Sequence, residues 1–318
     1  MKELNFLKVI AEQLTNNDFL GDDCAYLKEL GILVTQDTLV ENVHFSLDTI
    51  TPYLLGRKLV SVNLSDLASA LSTPKYITVS MSLPSALDEL FVAELYKGIN
   101  DVCKEYKVKV IGGDITSSDK VVLSVCAIGK KSAKFITSRS FANKGDYIVT
   151  TGNYGASACG LYALINFLYA DEELIQAHLN PIPRVKESKQ ISKLINSNIA
   201  GIDTSDGLID ALYKVSEASG RSLQLDFDEV PVSEKVIEFC RVNKLDYKDF
   251  VFWGGEDFEV IFTIPKEVYE KIDNTQFKLI GKVLNKSKDP VVYVKSKDFD
   301  IKITKDIFEK KSYNHFKG

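Results

Sequence analysis

The sequence has few of the side chains that bind transition metals or build disulfide frameworks: 3 histidines and 5 cysteines in 318 residues. The cysteines are widely spaced and none forms a CxxC pair, which argues against a zinc ribbon and against a disulfide framework. An odd number of isolated cysteines is typical of reduced thiols in a cytoplasmic protein. These cysteines are Cys24, Cys103, Cys126, Cys159 and Cys240.

Long apolar runs and an excess of basic residues are also missing. No run approaches the ~20 apolar residues that a membrane-spanning helix needs. The N-terminal segment places Leu7, Ile10 and Leu14 on one helical face, which indicates an amphipathic helix rather than a signal peptide. Lys and Arg number 39 and Asp and Glu 44, a net charge of −5, whereas duplex nucleic-acid binders usually present a basic face. We therefore expect a cytoplasmic protein that binds neither nucleic acid nor membrane.

Two common nucleotide-binding signatures are absent. The sequence contains neither GxxxxGK(S/T) nor GxGxxG, so neither a P-loop nor a Rossmann fingerprint is predicted. Glycine pairs at 112–113 and 254–255 follow short segments with apolar residues. Glycine lets a backbone approach a phosphate closely, although a turn explains each pair equally well on its own.

The order of predicted elements indicates two mixed α/β halves. Residues 76–83 alternate strictly between apolar and polar side chains, as a half-buried strand does. Residues 130–146 are more polar, so we place a domain boundary near residue 137. We predict helices at 53–71, 86–106, 156–170, 184–196 and 208–219, and strands at 31–40, 76–83, 108–114, 121–129 and 147–152.

The most informative feature is the position of the aspartates. Several stand at the end of an apolar strand or at a strand-to-helix turn, where loops gather ligand groups on an α/β scaffold. Each alone has an ordinary explanation as a turn, a bulge or a helix cap. Gathered together they would repel one another unless cations held them, and oxygen ligands without histidine or cysteine favour Mg²⁺, Mn²⁺ or Ca²⁺. They are Asp22, Asp23, Asp37, Asp66, Asp114, Asp203 and Asp206.

Two further polar residues have both a structural and a functional explanation. Arg139 lies between two serines near the predicted boundary, and it is either a solvated side chain or a contact to a nucleotide phosphate. His44 is the only histidine in the region of these motifs, and it is either structural or a ligand contact.

Phosphoryl transfer depends mainly on positioning and charge neutralisation, so the aspartate pattern favours a magnesium-dependent phosphotransferase.

Nine short blocks in fixed order resemble the thiamine-monophosphate kinase family. The resemblance covers nearly the whole chain, from about residue 20 to YNHF at 313–316. The wider superfamily includes aminoimidazole ribonucleotide synthetase. The blocks are GDDCA (21–25), TQDTLVENVHF (35–45), VNLSDLA (62–68), IGGDIT (111–116), SRS (138–140), GDYIVTTG (145–152), NPIPR (180–184), IDTSDGL (202–208) and GGEDFEV (254–260).

The resemblance implies an enzyme that transfers the γ-phosphate of ATP directly and in line to thiamine monophosphate. The product would be thiamine diphosphate, in the final step of its biosynthesis, with several Mg²⁺ ions between nucleotide phosphates and aspartates. The resemblance also implies two mixed α/β domains. Residues 1–137 would bind ATP and Mg²⁺ and pair across a homodimer into a β-barrel, and residues 138–318 would form an α/β sandwich that completes the nucleotide and substrate site.

By position, the resemblance implies three groups of site residues and no catalytic side chain that is certain. The implied metal ligands are Asp23, Thr35, Gln36, Asp37, Asp66, Asp114, Asp203 and Asp206. The implied nucleotide contacts are Gly113, Asp114, Arg139 and Ser205. The implied contacts to thiamine monophosphate are His44, Glu256 and Tyr313.

One position departs from the family pattern. The family usually has Ser or Thr before the aspartate of the second block, and here Gln36 precedes Asp37. Gln36 can serve as a ligand through its backbone carbonyl, which we favour. Relatives that rely on a reactive terminal cysteine are disfavoured because Cys24 is the cysteine nearest to either end. Another ATP-dependent enzyme of the superfamily, such as an amidine-ring ligase or an acyl-phosphate-forming enzyme, and a nucleotide sensor without catalysis stay open as alternatives.

Overall fold

The first half of the chain forms a five-stranded mixed sheet in the order β1-β2-β5-β3-β4. The computed structural model describes residues 2–15 and 19–316. Neighbouring strands are antiparallel except β3 and β4, which run parallel. The strands are β1 (Ala25–Leu27), β2 (Ile32–Val40), β3 (Ser72–Leu83), β4 (Lys109–Ser117) and β5 (Val122–Lys131).

Two long helices cover one face of this sheet. They are α2 (Pro52–Ser69) and α3 (Glu89–Tyr106), and they follow a shorter N-terminal helix, α1 (Lys2–Gln13). Helix α2 begins where Thr51 accepts a hydrogen bond from the Leu54 amide at 3.3 Å and proline supplies the fixed φ of the first helical turn. Helix α3 begins with the equivalent bond from the Phe91 amide to Asp88 at 3.0 Å.

Helix α2 is buried on almost all sides because the second half of the chain packs against it. Its neighbours include the first sheet, α3, and strands and helices of the second half. Polar residues of α2 that are nonetheless buried include Lys58, Asn63, Ser65 and Ser69. Buried polar groups require partners, so this helix must carry polar contacts from both halves of the protein.

The second half forms a seven-stranded mixed sheet in the order β12-β11-β8-β10-β6-β9-β7. Both faces are covered: Ile148 and Ile261 pack into one core cluster, and their neighbours Val149 and Phe262 pack into another. The strands are β6 (Tyr147–Thr150), β7 (Ala200–Asp203), β8 (Arg221–Asp226), β9 (Val260–Ile264), β10 (Lys278–Lys286), β11 (Val292–Lys295) and β12 (Asp300–Ile303). The helices are α4 (Ala156–Asn166), α5 (Glu172–Leu179), α6 (Val185–Leu194), α7 (Leu208–Ser219), α8 (Glu234–Val242), α9 (Tyr247–Trp253), α10 (Lys266–Tyr269) and α11 (Lys305–Lys311).

Most of the predicted elements are confirmed. Two mixed sheets with helices agree with the predicted fold class, and the predicted helix at 208–219 is α7. The prediction of a helix over 156–170 is wrong at its end, because α4 stops at Asn166, where Phe167 adopts a left-handed conformation with φ 53°. Helices α5 and α9 were not predicted. The sheets lie on either side of residue 137 in sequence, and the division into domains 1–137 and 138–318 stays a prediction.

Among the residues that the structure describes, every helix falls short of the length and apolar character that crossing a membrane requires.

The packing of α2 against α3 predicts a test of the fold. A Cβ on Gly98 would lie 1.9 Å from the Tyr53 carbonyl oxygen, and one on Gly56 would lie 2.0 Å from the Leu95 carbonyl oxygen. Gly98→Ala should therefore lower the free energy of unfolding by about 1–3 kcal/mol, because the helix backbones would have to separate. Urea denaturation measures the change. The control is Asn100→Ala at an exposed position of α3, and equal stability of both variants would contradict the prediction.

Candidate active site

Three carboxylates from distant parts of the chain converge at the junction of the two halves. Single oxygens of Asp23, Asp66 and Asp203 all lie within 4.8 Å of one another. Asp23 precedes β1, Asp66 lies on α2 and Asp203 ends β7. The predicted convergence of these aspartates is therefore observed, and their oxygens form the centre of what we call the acidic cluster.

Helix α2 supplies the side chains that hold the acidic cluster in place. Ser65 donates a hydrogen bond to Asp203 Oδ2 at 2.6 Å, and Ser69 donates one to Asp23 Oδ2. Thr35 of β2 donates to Asp66 Oδ2 at 2.6 Å. Residues three and four positions apart share one face of a helix, so Ser65, Asp66 and Ser69 present their polar groups to the same junction.

Asp37 and its partner Asn63 extend the cluster along β2. The Asp37 amide donates to Asn63 Oδ1 at 3.0 Å, while Asn63 donates to the Leu59 carbonyl one turn earlier in α2. Thr35 and Asp37 lie on the same face of the strand because they are two residues apart. The side chain of Gln36 is exposed on the opposite face, so its amide does not join the cluster, and ligation through its carbonyl stays a prediction.

The electrostatic environment favours protonation of these carboxylates when no cation is bound. Burial, followed by repulsion from Asp23, raises the pKa of Asp203 to about 7 and that of Asp37 to about 6. Burial and the charges of Asp37, Asp203 and Asp23 also raise the pKa of Asp66. Mutual repulsion of this kind disappears when a divalent cation is shared. The donor set contains only oxygen from side chains, and it fits a hard cation such as Mg²⁺.

Two basic side chains border the acidic cluster. Arg139 Nε lies 3.2 Å from Asp23 Oδ1, and its backbone amide donates to Asp22 at 2.7 Å. Lys214 Nζ lies 2.6 Å from one oxygen each of Asp206 and Asp210. The predicted nucleotide contact Arg139 is thus at the cluster, paired with a predicted metal ligand. Cations beside carboxylates can also pair with phosphate oxygens.

A cavity of about 560 Å³ opens beside Asp37 and Asp206. The predicted thiamine monophosphate contacts His44, Glu256 and Tyr313 line it, together with the predicted nucleotide contact Ser205. Its walls also include Phe45, Leu164, Ile165 and Trp253. An apolar cavity with a few convergent polar groups is typical of small-molecule sites. The cavity therefore joins the predicted substrate contacts to two of the predicted metal ligands.

His44 presents a hydrogen-bond donor at this cavity. Its Nδ1 accepts a hydrogen bond from the Val40 amide at 3.1 Å. Burial and the neighbouring His315 lower the pKa of His44, so the ring is neutral at pH 7. We assign the remaining proton to Nε2 from this bonding pattern. Tyr313 is linked to the same group, since its hydroxyl lies 3.2 Å from His315 Nδ1.

A smaller cavity of about 300 Å³ adjoins Asp22 and Asp23. The walls of this cavity include the aromatic rings of Phe19, Tyr26 and Phe141. Ser138, which flanks Arg139, also lines it. The acidic cluster therefore has a cavity beside Asp23 as well as the larger cavity beside Asp37.

Two predicted site residues lie away from the cluster within the chain: Gly113, a predicted nucleotide contact, and Asp114, predicted both as a nucleotide contact and as a metal ligand. Gly113 and Asp114 lie on β4, an edge strand whose residues are all exposed. Asp114 belongs to a row of register partners, Ser80, Ser124 and Thr38, that crosses the sheet. Three strand spacings place it roughly 14 Å from Thr38, on the sheet face opposite to that of Asp37.

The comparison with known proteins decides the family. Residues 21–130 match the family model of the AIR synthase related protein, N-terminal domain. Over 314 residues the chain is 33% identical to thiamine-monophosphate kinase of Bacillus subtilis (strain 168), covering 94% of this chain and 93% of that protein. The chain belongs to the thiamine-monophosphate kinase family.

Other proteins are similar to this chain over a comparable length. The thiamine-monophosphate kinase of Buchnera aphidicola subsp. Acyrthosiphon pisum (strain APS) is 34% identical, covering 93% of this chain and 92% of that protein. The solved structure of AaThiL complexed with AMPPCP and TMP is 31% identical, with a TM-score of 0.83, and covers 92% of this chain and 94% of that chain. This family member was therefore solved with a nucleotide analogue and TMP bound together.

Some residues of this kinase-family site were missed by the sequence analysis. Lys58 and His178 each contact Glu256 Oε2 at 3.1 Å. The one signal for Lys58 was a lysine within a mostly apolar helix. Asp257 accepts hydrogen bonds from the Gly155 and Ser157 amides at 2.9 and 3.2 Å at the start of α4. The sequence shows Asp257 beside Glu256 in the GGED block, but it does not show that the Gly155 and Ser157 amides are its partners.

The raised pKa values predict how magnesium affinity depends on pH. Asp37 and Asp203, with pKa values of about 6 and 7, must lose protons before they can ligate a cation. Mg²⁺ affinity without nucleotide should therefore rise between pH 5.5 and 8. Since the native pKa values lie above the unfolded ones, the metal-free protein should lose stability as pH rises from about 4 to 7.

Isothermal titration calorimetry measures the affinity, and thermal denaturation without metal measures the stability. Ser65→Ala removes a hydrogen bond that lowers the pKa of Asp203, so it should move both profiles to higher pH. An affinity that stays constant between pH 5.5 and 8 would contradict the assignment of these carboxylates.

Proposed function

We propose that this chain transfers the γ-phosphate of ATP to thiamine monophosphate, forming thiamine diphosphate, with Mg²⁺ as cofactor. The observation that carries the proposal is the convergence of Asp23, Asp37, Asp66 and Asp203 beside the 560 Å³ cavity. Family membership supports the same reaction, and AaThiL, solved with AMPPCP and TMP, supports the choice of donor and acceptor. The five free cysteines of this chain agree with a proposed cytoplasmic location.

The acidic cluster would hold the metal ions. Asp23, Asp37, Asp66, Asp203 and Asp206 are the proposed side-chain ligands, with the Thr35 hydroxyl and Gln36 carbonyl beside them. Bound Mg²⁺ would neutralise the phosphates and orient them for in-line displacement. The chain's own contribution is to fix these oxygens before substrates arrive, which Ser65, Ser69 and Asn63 achieve from α2.

The two cavities suit two substrates that meet at the cluster. We assign the nucleotide base to the smaller cavity, where Phe19, Tyr26 and Phe141 provide stacking surface, with Arg139 near its phosphates. The larger cavity would take the acceptor, with the Nε2 proton of His44 available to its phosphate. An acceptor phosphate oxygen is already ionised near neutral pH, so the attack on the γ-phosphorus requires no general base.

Removing one carboxylate tests the proposed reaction. Asp66→Asn and Asp203→Asn should each reduce kcat at least about 100-fold, because charge neutralisation worth several kcal/mol is lost. Chromatography of thiamine diphosphate formed from ATP, Mg²⁺ and thiamine monophosphate measures the rate. Asp298→Asn, at an exposed position, is the control. Near wild-type rates in both cluster variants would refute their metal role, and ATP binding without any product would favour a sensor.

We also propose that the protein is a homodimer joined through β4. This edge strand exposes Val110, Ile111 and Ile115, and a long exposed apolar edge is normally covered by another chain. A second copy pairing here would close the two first sheets into the β-barrel that the resemblance implies. Gly113 and Asp114 would then lie at the interface, where they could act on a nucleotide across it.

Ile115, which is 69% exposed in the single chain, provides a test of the dimer. Ile115→Lys should convert the dimer to monomers, because a charge would be buried in an apolar interface. Analytical ultracentrifugation measures the mass. The control is Leu90→Lys on α3, a similarly exposed apolar position. A wild-type protein that sediments as a monomer, or an Ile115→Lys variant that stays dimeric, would reject this interface.

A further inference from the structure

Lys58 is a buried cation that forms one ion pair among the residues that the structure describes. It is 1% exposed, in the middle of α2, and its Nζ lies 3.1 Å from Glu256 Oε2. A buried ammonium group is costly unless it is paired. Glu256 belongs to the second half of the chain and α2 to the first, so this pair also connects the two halves beside the larger cavity.

His178 of α5 approaches the same carboxylate oxygen. Its Nδ1 lies 3.1 Å from Glu256 Oε2 and 3.3 Å from Ser157 Oγ. Burial and the neighbouring Lys58 lower the pKa of His178, so the ring is neutral and we assign its proton to Nδ1, which donates to Glu256. Although burial raises the pKa of Glu256, attraction to Lys58 and the bond from His178 bring it to about 2.

The two donors leave one oxygen of Glu256 for a ligand. Within residues 2–15 and 19–316, the side-chain donors to this carboxylate converge on Oε2, and Oε1 receives none. Glu256 itself lines the cavity. An ionised carboxylate with one unused oxygen at an apolar-walled cavity is suited to bind an N–H donor or a cationic ring of a heteroaromatic ligand.

The backbone at Glu256 also requires support. Its φ is 55°, a left-handed conformation that costs free energy in residues other than glycine and persists only where surrounding contacts impose it. Its amide donates to the Ser205 carbonyl at 2.7 Å, and Lys58 and His178 both contact its carboxylate. Backbone and side chain are therefore both fixed before any ligand enters.

We propose that Lys58 and His178 are positioning residues for the acceptor: they hold Glu256 Oε2 so that Oε1 binds the heteroaromatic part of thiamine monophosphate. This inference rests on the proposed function, because it assigns the acceptor to the larger cavity. Neither residue is among the proposed metal ligands or phosphate contacts. Their loss should therefore weaken acceptor binding and leave nucleotide binding and the transfer step nearly unchanged.

A double-mutant cycle between Lys58 and Glu256 separates positioning from general structural support. Lys58→Met should raise the KM for thiamine monophosphate about tenfold or more, while kcat and the KM for ATP change less than about threefold. Lys58→Gln, which keeps a donor, should recover part of the loss. In a Glu256→Gln background, Lys58→Met should change the acceptor KM less than about twofold, because its effect passes through Glu256.

Lys97→Met, at an exposed position on α3 paired with Glu94, is the matched control and should alter nothing. If Lys58→Met does not fold, Lys58→Gln and His178→Gln carry the same test, with folding checked by thermal denaturation. An unchanged acceptor KM in these folded variants, an equal effect on both substrates, or additive effects of Lys58 and Glu256 would overturn the inference. A wild-type protein that makes no thiamine diphosphate would instead refute the proposed function, and calorimetric binding of thiamine monophosphate to the same variants would still test the positioning role.

Discussion

The burial of α2 between the two halves is the constraint on which the site depends. A helix enclosed on nearly all sides cannot leave polar groups without partners. Its polar residues therefore take partners from both halves: Asp203 for Ser65, Asp23 for Ser69 and Glu256 for Lys58. The same contacts that satisfy the buried helix bring the carboxylates of Asp23, before β1, Asp37 in β2 and Asp203 at the end of β7 to one place. The packing of α2 therefore also assembles the site.

The charges of the site fall into two groups with opposite behaviour. At the acidic cluster, burial and mutual repulsion make ionisation of Asp37, Asp66 and Asp203 unfavourable, and a bound divalent cation would remove this repulsion. In the larger cavity, the ionised carboxylate of Glu256 is instead paired with Lys58. Under the proposed function, the first region would bind the phosphates together with cations, and the second would bind the organic part of the acceptor.

Much of the acidic cluster was predictable because its residues lie beside apolar strands, interrupt one, or sit in a helix where a carboxylate is otherwise unusual. The placement of Asp114 was not predictable in the same way. Asp114 also belongs to a glycine-containing block, yet it lies on the edge strand β4, and the strand register places it on the sheet face opposite to that of Asp37. Lys58 and His178 gave little signal, because the partner that gives each its role is distant in the chain and is reached only through tertiary packing.

The sequence alone determined the hard-oxygen character of the site, the absence of a P-loop, the alternation of strands and helices, and the order of blocks that indicates the family. These are local properties of residue type and spacing. Only the tertiary structure decided which aspartates meet, which face of β2 Gln36 occupies, and that one oxygen of Glu256 is held by Lys58 and His178. Strand order and the burial of α2 set those distances, and both follow from the packing of residues far apart in the chain.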